Sequence, residues 1–173
     1  AMAVCVHDED GSVAAEAALA LAAARGTPGL GPVVAELRRS LTSGRAVKAA
    51  RAARALARLA DADAVPLLIQ LLDAGGELPA VAAEALTAIT LQRLGPDSNP
   101  WIAWWREWRA APRSSWLFQA LTGPDAALRR AAAAELRRAG EPPEPYDAEA
   151  PDPEREKSAR AWARWWREEG LAL

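Results

Sequence analysis

The chain has 173 residues, of which 51% are hydrophobic and 25% are charged, a composition typical of globular rather than disordered proteins. The net charge of -2 and the pI of about 5.6 argue against a polyanionic partner, because nucleic-acid binders usually carry a concentrated basic excess. The single cysteine, Cys5, excludes an internal disulfide, and no apolar run reaches the roughly 18 residues that a transmembrane helix needs.

Helical segments follow one another along the chain. Alanine, leucine, arginine and glutamate dominate, and all are strong helix formers. No segment alternates with period two, so we predict no sheet. Residues 1–11 are expected to be a disordered or tag-derived N-terminus. The predicted helices are 12–25, 31–42, 45–60, 63–74, 78–93, 99–111, 114–122, 124–139 and 153–169, and the Pro-rich acidic stretch 140–152 is predicted to be an extended loop.

Short sequence patterns recur along these helices. An Ala-rich pattern at 13–17 returns at 81–85, and an apolar pattern at 32–37 returns at 66–71. The pattern Trp-x-x-Trp-Trp-Arg-Glu occurs twice, beginning at Trp101 and at Trp162. Short helices that recur in this way bury their apolar faces by stacking. We therefore predict an all-α solenoid of stacked antiparallel helical hairpins, a single domain over 12–173 with units of about 12–62, 63–111 and 114–169.

The repeated pattern resembles a known family. Ala-Ala-x-Ala-Leu paired with Ala-Val-Pro-Leu-Leu-Ile-Gln-Leu-Leu looks like bacterial HEAT-like repeats over roughly residues 12–140. The stretch 82–105, with its Trp-x-x-Trp-Trp end, is similar to a closing element of some bacterial HEAT proteins, although Leu91 stands where such segments often have glycine. The resemblance implies a HEAT-like scaffold or binding module without enzymatic activity.

The tryptophans allow two interpretations. Trp101, Trp104, Trp105 and Trp108 share one face of a helix, and the C-terminal helix repeats the pattern. They could form an aromatic platform for a base, a sugar or a Pro-rich peptide, or a packing face against an Ala-rich helix. We favour packing. The two Trp helices are then expected to play equivalent roles, each lying across the Ala-rich helix of its own unit, 78–93 or 124–139.

Polar residues at equivalent positions of the apolar helices form a candidate partner-binding surface. Glu36, Gln70 and Gln119 occupy one equivalent position in three helices, and Arg39 and Asp73 occupy a second one in two of them. All five residues belong to the candidate surface. Each points away from its leucine stripe, where a solenoid presents its concave surface. Ordinary solvated side chains are the alternative explanation, and we favour it.

Other candidate residues are weaker. Arg51, Arg54 and Arg58 could contact phosphate, but a solvated helix face is the better explanation in an acidic chain. His7 with its acidic neighbours 8–10 makes a poor metal site, and Cys5 with His7 a poor nucleophile pair. We therefore predict no catalytic residue, no metal site and no cofactor.

The leading functional hypothesis is a protein-interaction module. Its partner would be another protein, with no nucleic acid and no membrane, and the chain is expected to be cytoplasmic. One alternative is a nucleic-acid-acting enzyme of the DNA glycosylase type, since some of these enzymes are built of HEAT-like repeats. Another is a purely structural segment of a larger protein. Salt-dependent DNA binding would favour the enzyme, and flanking domains would favour the structural segment.

Overall fold

All secondary structure in the described part of the chain is helical. The structure is a computed structural model that describes residues 30–172. Within that range there is no β-strand, which confirms the predicted all-α class. The helices are α1 (Leu30–Leu41), α2 (Ala46–Leu59), α3 (Val65–Leu71, preceded by a 3-10 turn at Ala62–Ala64), α4 (Leu78–Thr90), α5 (Ser98–Trp108), α6 (Arg113–Leu121), α7 (Ala126–Ala139) and α8 (Asp152–Glu168).

The chain divides into two compact units. Unit 1 runs to Ile89 and includes Arg93–Arg106, whereas unit 2 comprises Thr90–Gln92 and the chain from Glu107 onward. Each predicted helix from 31–42 onward is observed, with ends that differ by a few residues. The predicted helix 12–25 and the predicted N-terminal region 1–11 lie outside the described residues.

Unit 1 is organised around the contact between α1 and α2. The face of α2 that repeats at three- and four-residue intervals is buried and consists of Ala49, Ala52, Ala53 and Leu56. Small alanine side chains let the helix axes approach closely, and α1 contributes the buried Leu37. α1 also contacts α3, so three successive helices share this core.

An ion pair joins α1 to the turn after α2. The Arg38 guanidinium bonds to the Asp61 carboxylate and lies 2.9 Å from that of Asp63. The hydrogen bond to Asp61 raises the pKa of Arg38 above its ordinary value, although burial acts in the opposite direction. Because Arg38 is partly exposed, water screens the pair and its contribution to stability is small.

Helix α4 ends three residues earlier than the predicted 78–93. Leu91 adopts a left-handed conformation, with φ of 54°, which is sterically unfavourable for leucine. Its side chain is buried in the core of unit 2, and the Gln92 N–H donates to the Thr90 hydroxyl at 3.2 Å. Burial of the Leu91 side chain therefore offsets the strain in its backbone. A sequence pattern cannot predict this balance, because the burial depends on tertiary contacts.

Unit 2 is built on the pair α6 and α7, with α8 contacting α6. Its core takes large side chains from α6 and α8 and small ones from α7. The core residues of these helices include Leu117, Ala120, Leu121, Ala132, Ala133, Leu136, Ala159, Trp162 and Trp166. Alanines on α7 leave room for tryptophan on α8, so the packing interpretation of the Trp helix is confirmed for Trp162 and Trp166.

The Pro-rich stretch 140–151 is irregular, as predicted, but it is packed against unit 2. Arg129 is 6% exposed, and its guanidinium donates to the carbonyls of Ala148 at 2.7 Å and Gly123 at 2.8 Å. A buried guanidinium needs such acceptors, because leaving its N–H groups unpaired would be costly. The Arg129 side chain thereby ties the connecting segment to the turn before α7.

Three fully or almost fully buried tryptophans share one arrangement. In each, the indole N–H donates to a backbone carbonyl that precedes its helix, in a connection for Trp101 and Trp162 and at the last residue of α5 for Trp116. The pairs are Trp101 with Gly95 at 2.8 Å, Trp116 with Trp108 at 3.1 Å, and Trp162 with Glu144 at 2.8 Å. A fully buried indole N–H is normally hydrogen-bonded, and each of these bonds also fixes the backbone that precedes the helix.

The expected equivalence of the two Trp helices holds only at their first tryptophan. Trp101 and Trp162 are both buried and both bond to the preceding connection. In α5 the second tryptophan of the pattern, Trp104, is buried. In α8 the equivalent residue, Trp165, is only half-buried, and the next residue, Trp166, is buried instead. The expected docking on 124–139 is also incomplete: α8 contacts α6, and Trp162 meets α7 through the guanidinium of Arg137, 5.2 Å from the ring centroid.

Replacing the most buried of these side chains should destabilise unit 2. Trp162→Ala removes a fully buried ring and leaves the Glu144 carbonyl unpaired, so we expect a loss of about 3–5 kcal/mol in the free energy of unfolding. Trp165→Ala, at a half-buried position, should cost clearly less. Chemical denaturation followed by circular dichroism measures both, and equal losses would contradict this assignment.

The titration of Tyr146 reports on the packed connection. Burial raises the pKa of Tyr146, while the charges of Arg129 and Arg155 lower it by less, and the hydroxyl donates to the Leu121 carbonyl. Since the folded pKa exceeds the unfolded value of about 10, this contribution to stability is complete below pH 10 and is lost as pH rises through the folded pKa. Tyr146 is the only tyrosine in the chain, so tyrosinate absorbance follows it directly. An ordinary pKa in the folded protein would contradict the burial, and Tyr146→Phe should remove this part of the alkaline destabilisation.

Candidate functional site

A groove of about 800 Å³ opens in unit 2 between the first turns of α6 and the last turns of α8. We call it the α6–α8 groove. It is lined by Trp108, Pro112, Arg113, Ser114, Ser115, Phe118, Gln119, Ala163, Trp166, Arg167, Gly170, Leu171 and Ala172. Its volume lies within the range of roughly 300–1,000 Å³ that is usual for ligand pockets.

Aromatic side chains form one wall of the groove. Phe118 on α6 and Trp166 on α8 meet edge to face, with ring centroids 5.8 Å apart. Trp108 at the end of α5 adds a third ring, and its own carbonyl is held by the indole N–H of Trp116. The wall is therefore supported from behind by the packed core of unit 2.

The edge of the groove follows from how α8 ends. Gly170 has φ of 64°, a left-handed conformation that glycine adopts without strain. Its N–H donates to the Arg167 carbonyl at 3.3 Å, and the Leu171 N–H donates to the Trp166 carbonyl at 3.1 Å, the two bonds of a Schellman cap. The cap turns the chain so that Leu171 and Ala172 line the groove.

The first turn of α6 forms the polar end of the groove. Pro112 precedes the helix and supplies no side-chain cap, so the first N–H groups have no acceptor within the helix. Ser114 is only 9% exposed, and its hydroxyl has no hydrogen-bond partner among residues 30–172. By contrast, the Asp125 carboxylate caps α7, accepting from the N–H groups of Ala127 at 2.8 Å and Leu128 at 3.2 Å.

The charge of the groove is positive. Arginines are its only ionisable lining residues, whereas the whole chain carries a net charge of -2. Arg113 bonds to Glu135 through both ends of its guanidinium, with Nη2 3.0 Å from Oε2, so its charge is largely balanced. Arg167 is exposed, and its Nε donates to the Ala163 carbonyl at 3.2 Å. The N-terminal end of the α6 dipole is favourable for an anion, and Arg167 adds positive charge to the lining of the same groove.

Two of the groove's tryptophans differ from the anchored ones. No residue in the described range 30–172 accepts a hydrogen bond from the indole N–H of Trp108 or Trp166. The groove is therefore lined by two rings whose N–H groups have no acceptor among residues 30–172. Trp166 therefore belongs to the core of unit 2 and also lines the groove, whereas Trp101, Trp116 and Trp162 are fully or almost fully buried.

The residues proposed from sequence as a partner surface occupy different surroundings. In unit 1, Glu36 forms ion pairs with Arg39 at 2.7 Å and with Lys48 at 3.5 Å. The Asp73 carboxylate accepts from the Ser98 hydroxyl at 2.8 Å. Glu36 is thus engaged with its own helix and with α2, and Asp73 with the start of α5.

Only Gln119 of the proposed surface lies in the groove; Gln70 is exposed on α3. Sequence reasoning missed Ser114 and Phe118, because the groove brings together residues from three helices. The available signal was the Pro-Arg-Ser-Ser start of α6, where serines at a helix N-terminus follow a proline that cannot cap it.

The remaining sequence candidates give no site. Arg51 is partly buried, and Arg54 and Arg58 are exposed on α2. Cys5, His7 and the acidic residues 8–10 lie outside the described residues. Within 30–172, no cluster of His, Cys, Asp or Glu could hold a metal ion, and no helix is long and apolar enough to cross a membrane. Comparison with protein-family models, with curated proteins and with solved structures finds no significant match.

The two helix starts in unit 2 should respond differently to the loss of their polar side chains. Asp125→Ala removes two hydrogen bonds and should lower the free energy of unfolding by about 1 kcal/mol. Ser114→Ala removes a hydroxyl that has no partner among the described residues, so it should leave stability unchanged or slightly improved. Urea denaturation of the two variants compares them, and a loss at Ser114 equal to that at Asp125 would show that the hydroxyl is already bonded.

Proposed function

We propose that the chain is a non-enzymatic protein-interaction module built of HEAT-like repeats, and that its α6–α8 groove binds a segment of a partner protein. The observation that carries this proposal is the pair of groove tryptophans, Trp108 and Trp166, whose rings line an open apolar cavity while their N–H groups lack acceptors among the described residues. Tryptophan and arginine are the residue types most often found at the energetic centres of protein interfaces.

A peptide backbone fits these features. Grooves lined by aromatic rings bind extended peptides, whose carbonyls accept from ring N–H donors and whose side chains pack on the rings. The chain contains an internal example: the Glu144 carbonyl in the Pro-rich connection accepts from Trp162 at 2.8 Å, and Tyr146 packs against the same ring at 5.6 Å. A partner segment on Trp166 would use the same chemistry.

The repeat architecture supports a binding role as well. α1 packs on α2 in unit 1, and α6 packs on α7 in unit 2, so consecutive short helices pair within each unit. Together with the recurring Ala-rich and apolar patterns, this pairing supports a solenoid of HEAT-like hairpins. Repeat architectures of this kind typically act through extended surfaces that bind other proteins.

Peptide selection followed by a groove substitution tests the proposal. Peptides selected from a random displayed library should bind the chain, and Ala163→Glu should weaken them by at least about tenfold, because a carboxylate in the groove would compete for its donors. Arg164→Glu, at the next position of α8 but exposed and outside the groove, is the matched control.

Folding of both variants is verified by circular dichroism. If the selected peptides bind Ala163→Glu as tightly as the parent chain, the groove is not the interaction site. If Arg164→Glu weakens them equally, the effect comes from net charge and the assignment to the groove is also wrong.

A further inference from the structure

We propose that the partner segment in the α6–α8 groove is a protein C-terminus, an inference that rests on the proposed function. Its terminal carboxylate would bind at the first turn of α6, around Ser114. Its last apolar side chains would lie against Trp108, Phe118 and Trp166.

Two independent features place an anion at this turn. The first N–H groups of α6 have no side-chain cap, and the positive end of the helix dipole lies there. Ser114, more than nine-tenths buried, lines the groove with a hydroxyl that has no partner within residues 30–172. Because Ser114 lines the groove, its hydroxyl can donate to an anion bound there.

Unit 2 already shows how a carboxylate satisfies such a turn. Asp125 accepts from two N–H groups at the start of α7, at 2.8 and 3.2 Å. At the corresponding position before α6 stands Pro112, whose side chain has no oxygen. A carboxylate supplied by a partner would complete α6 as Asp125 completes α7.

The charges of the groove favour a single negative charge. The lining contains no carboxylate to repel the ligand. Arg113 is already paired with Glu135, which leaves Arg167 as the lining cation that does not form an ion pair in the described structure. One arginine and a helix N-terminus suit a carboxylate, whereas a doubly charged phosphate would call for more than one uncommitted cation.

A chain end fits better than an acidic side chain within a peptide. An internal residue brings peptide groups on both sides of the anion, and each N–H and C=O then needs a partner. A terminal carboxylate has peptide on one side only, and the rings of Trp108, Phe118 and Trp166 form an apolar wall for the side chains that precede it. Capture of C-terminal carboxylates by backbone N–H groups is an established mode of peptide recognition.

Three short peptides test the proposal on the intact chain. They are acetyl-Ala-Leu-Phe with a free carboxylate, the same peptide with a C-terminal amide, and acetyl-Glu-Leu-Phe amide, which carries its carboxylate on a side chain. Binding is followed by the NMR shifts of the Trp108 and Trp166 indole N–H groups, each assigned by substitution with phenylalanine. We expect the free acid to bind at least about tenfold more tightly than either amide, the usual effect of losing a charged hydrogen-bond partner.

Substitutions at the polar end separate the carboxylate from the apolar contacts. Ser114→Ala and Arg167→Gln should each weaken the free acid several-fold and leave the weaker amide binding unchanged. Arg160→Gln, on the same helix but outside the groove, is the control for Arg167→Gln and should change nothing.

The outcomes distinguish this inference from the proposed function. If the free acid and its amide bind equally, and Ala163→Glu abolishes both, the peptide groove stands and the carboxylate site is wrong. If the glutamate peptide binds as tightly as the free acid, the site takes a carboxylate but not a chain end, and the proposal is overturned. If none of the three short peptides binds but peptides from the displayed library do, only the C-terminal proposal fails. If no short peptide and no displayed peptide binds, the groove proposal and the C-terminal proposal both fail.

Discussion

The structure depends on one interaction: the hydrogen bond from a fully or almost fully buried indole N–H to a backbone carbonyl. Trp101, Trp116 and Trp162 are each almost completely removed from water, and each donates to a carbonyl in the segment before its own helix. A ring of this size stabilises a core by several kcal/mol, but only if its N–H is paired. The tryptophans therefore fix the connections as well as the helices that carry them.

This interaction is made both across the short connection before α5 and across the long connection before α8. Trp101 reaches back six residues to Gly95, whereas Trp162 reaches back eighteen to Glu144. The longer connection is also held by the guanidinium groups of Arg129 and Arg155, which donate to its carbonyls, and by the hydroxyl of Tyr146. Closing a longer loop costs little extra entropy, so these few polar contacts are enough to keep it packed.

The α6–α8 groove is a consequence of the same packing. Trp116 holds the carbonyl of Trp108, which places that residue's ring beside the start of α6. Trp166 is buried on one side by the core and faces the groove on the other. The tryptophans thus differ in the partner of the indole N–H, which is a backbone carbonyl for Trp101, Trp116 and Trp162 and no acceptor within residues 30–172 for Trp108 and Trp166.

The sequence by itself determined the helices, because alanine and leucine periodicity, prolines at helix starts and glycines at helix ends are local signals. It also indicated that tryptophans would pack against Ala-rich helices. Only the tertiary structure decided where α4 ends, since the strain at Leu91 is offset by burial in unit 2, and which tryptophan of each pattern is buried. The groove was equally beyond sequence reasoning, because Trp108, Ser114 and Trp166 come from three helices and meet through packing over distances that no local pattern encodes.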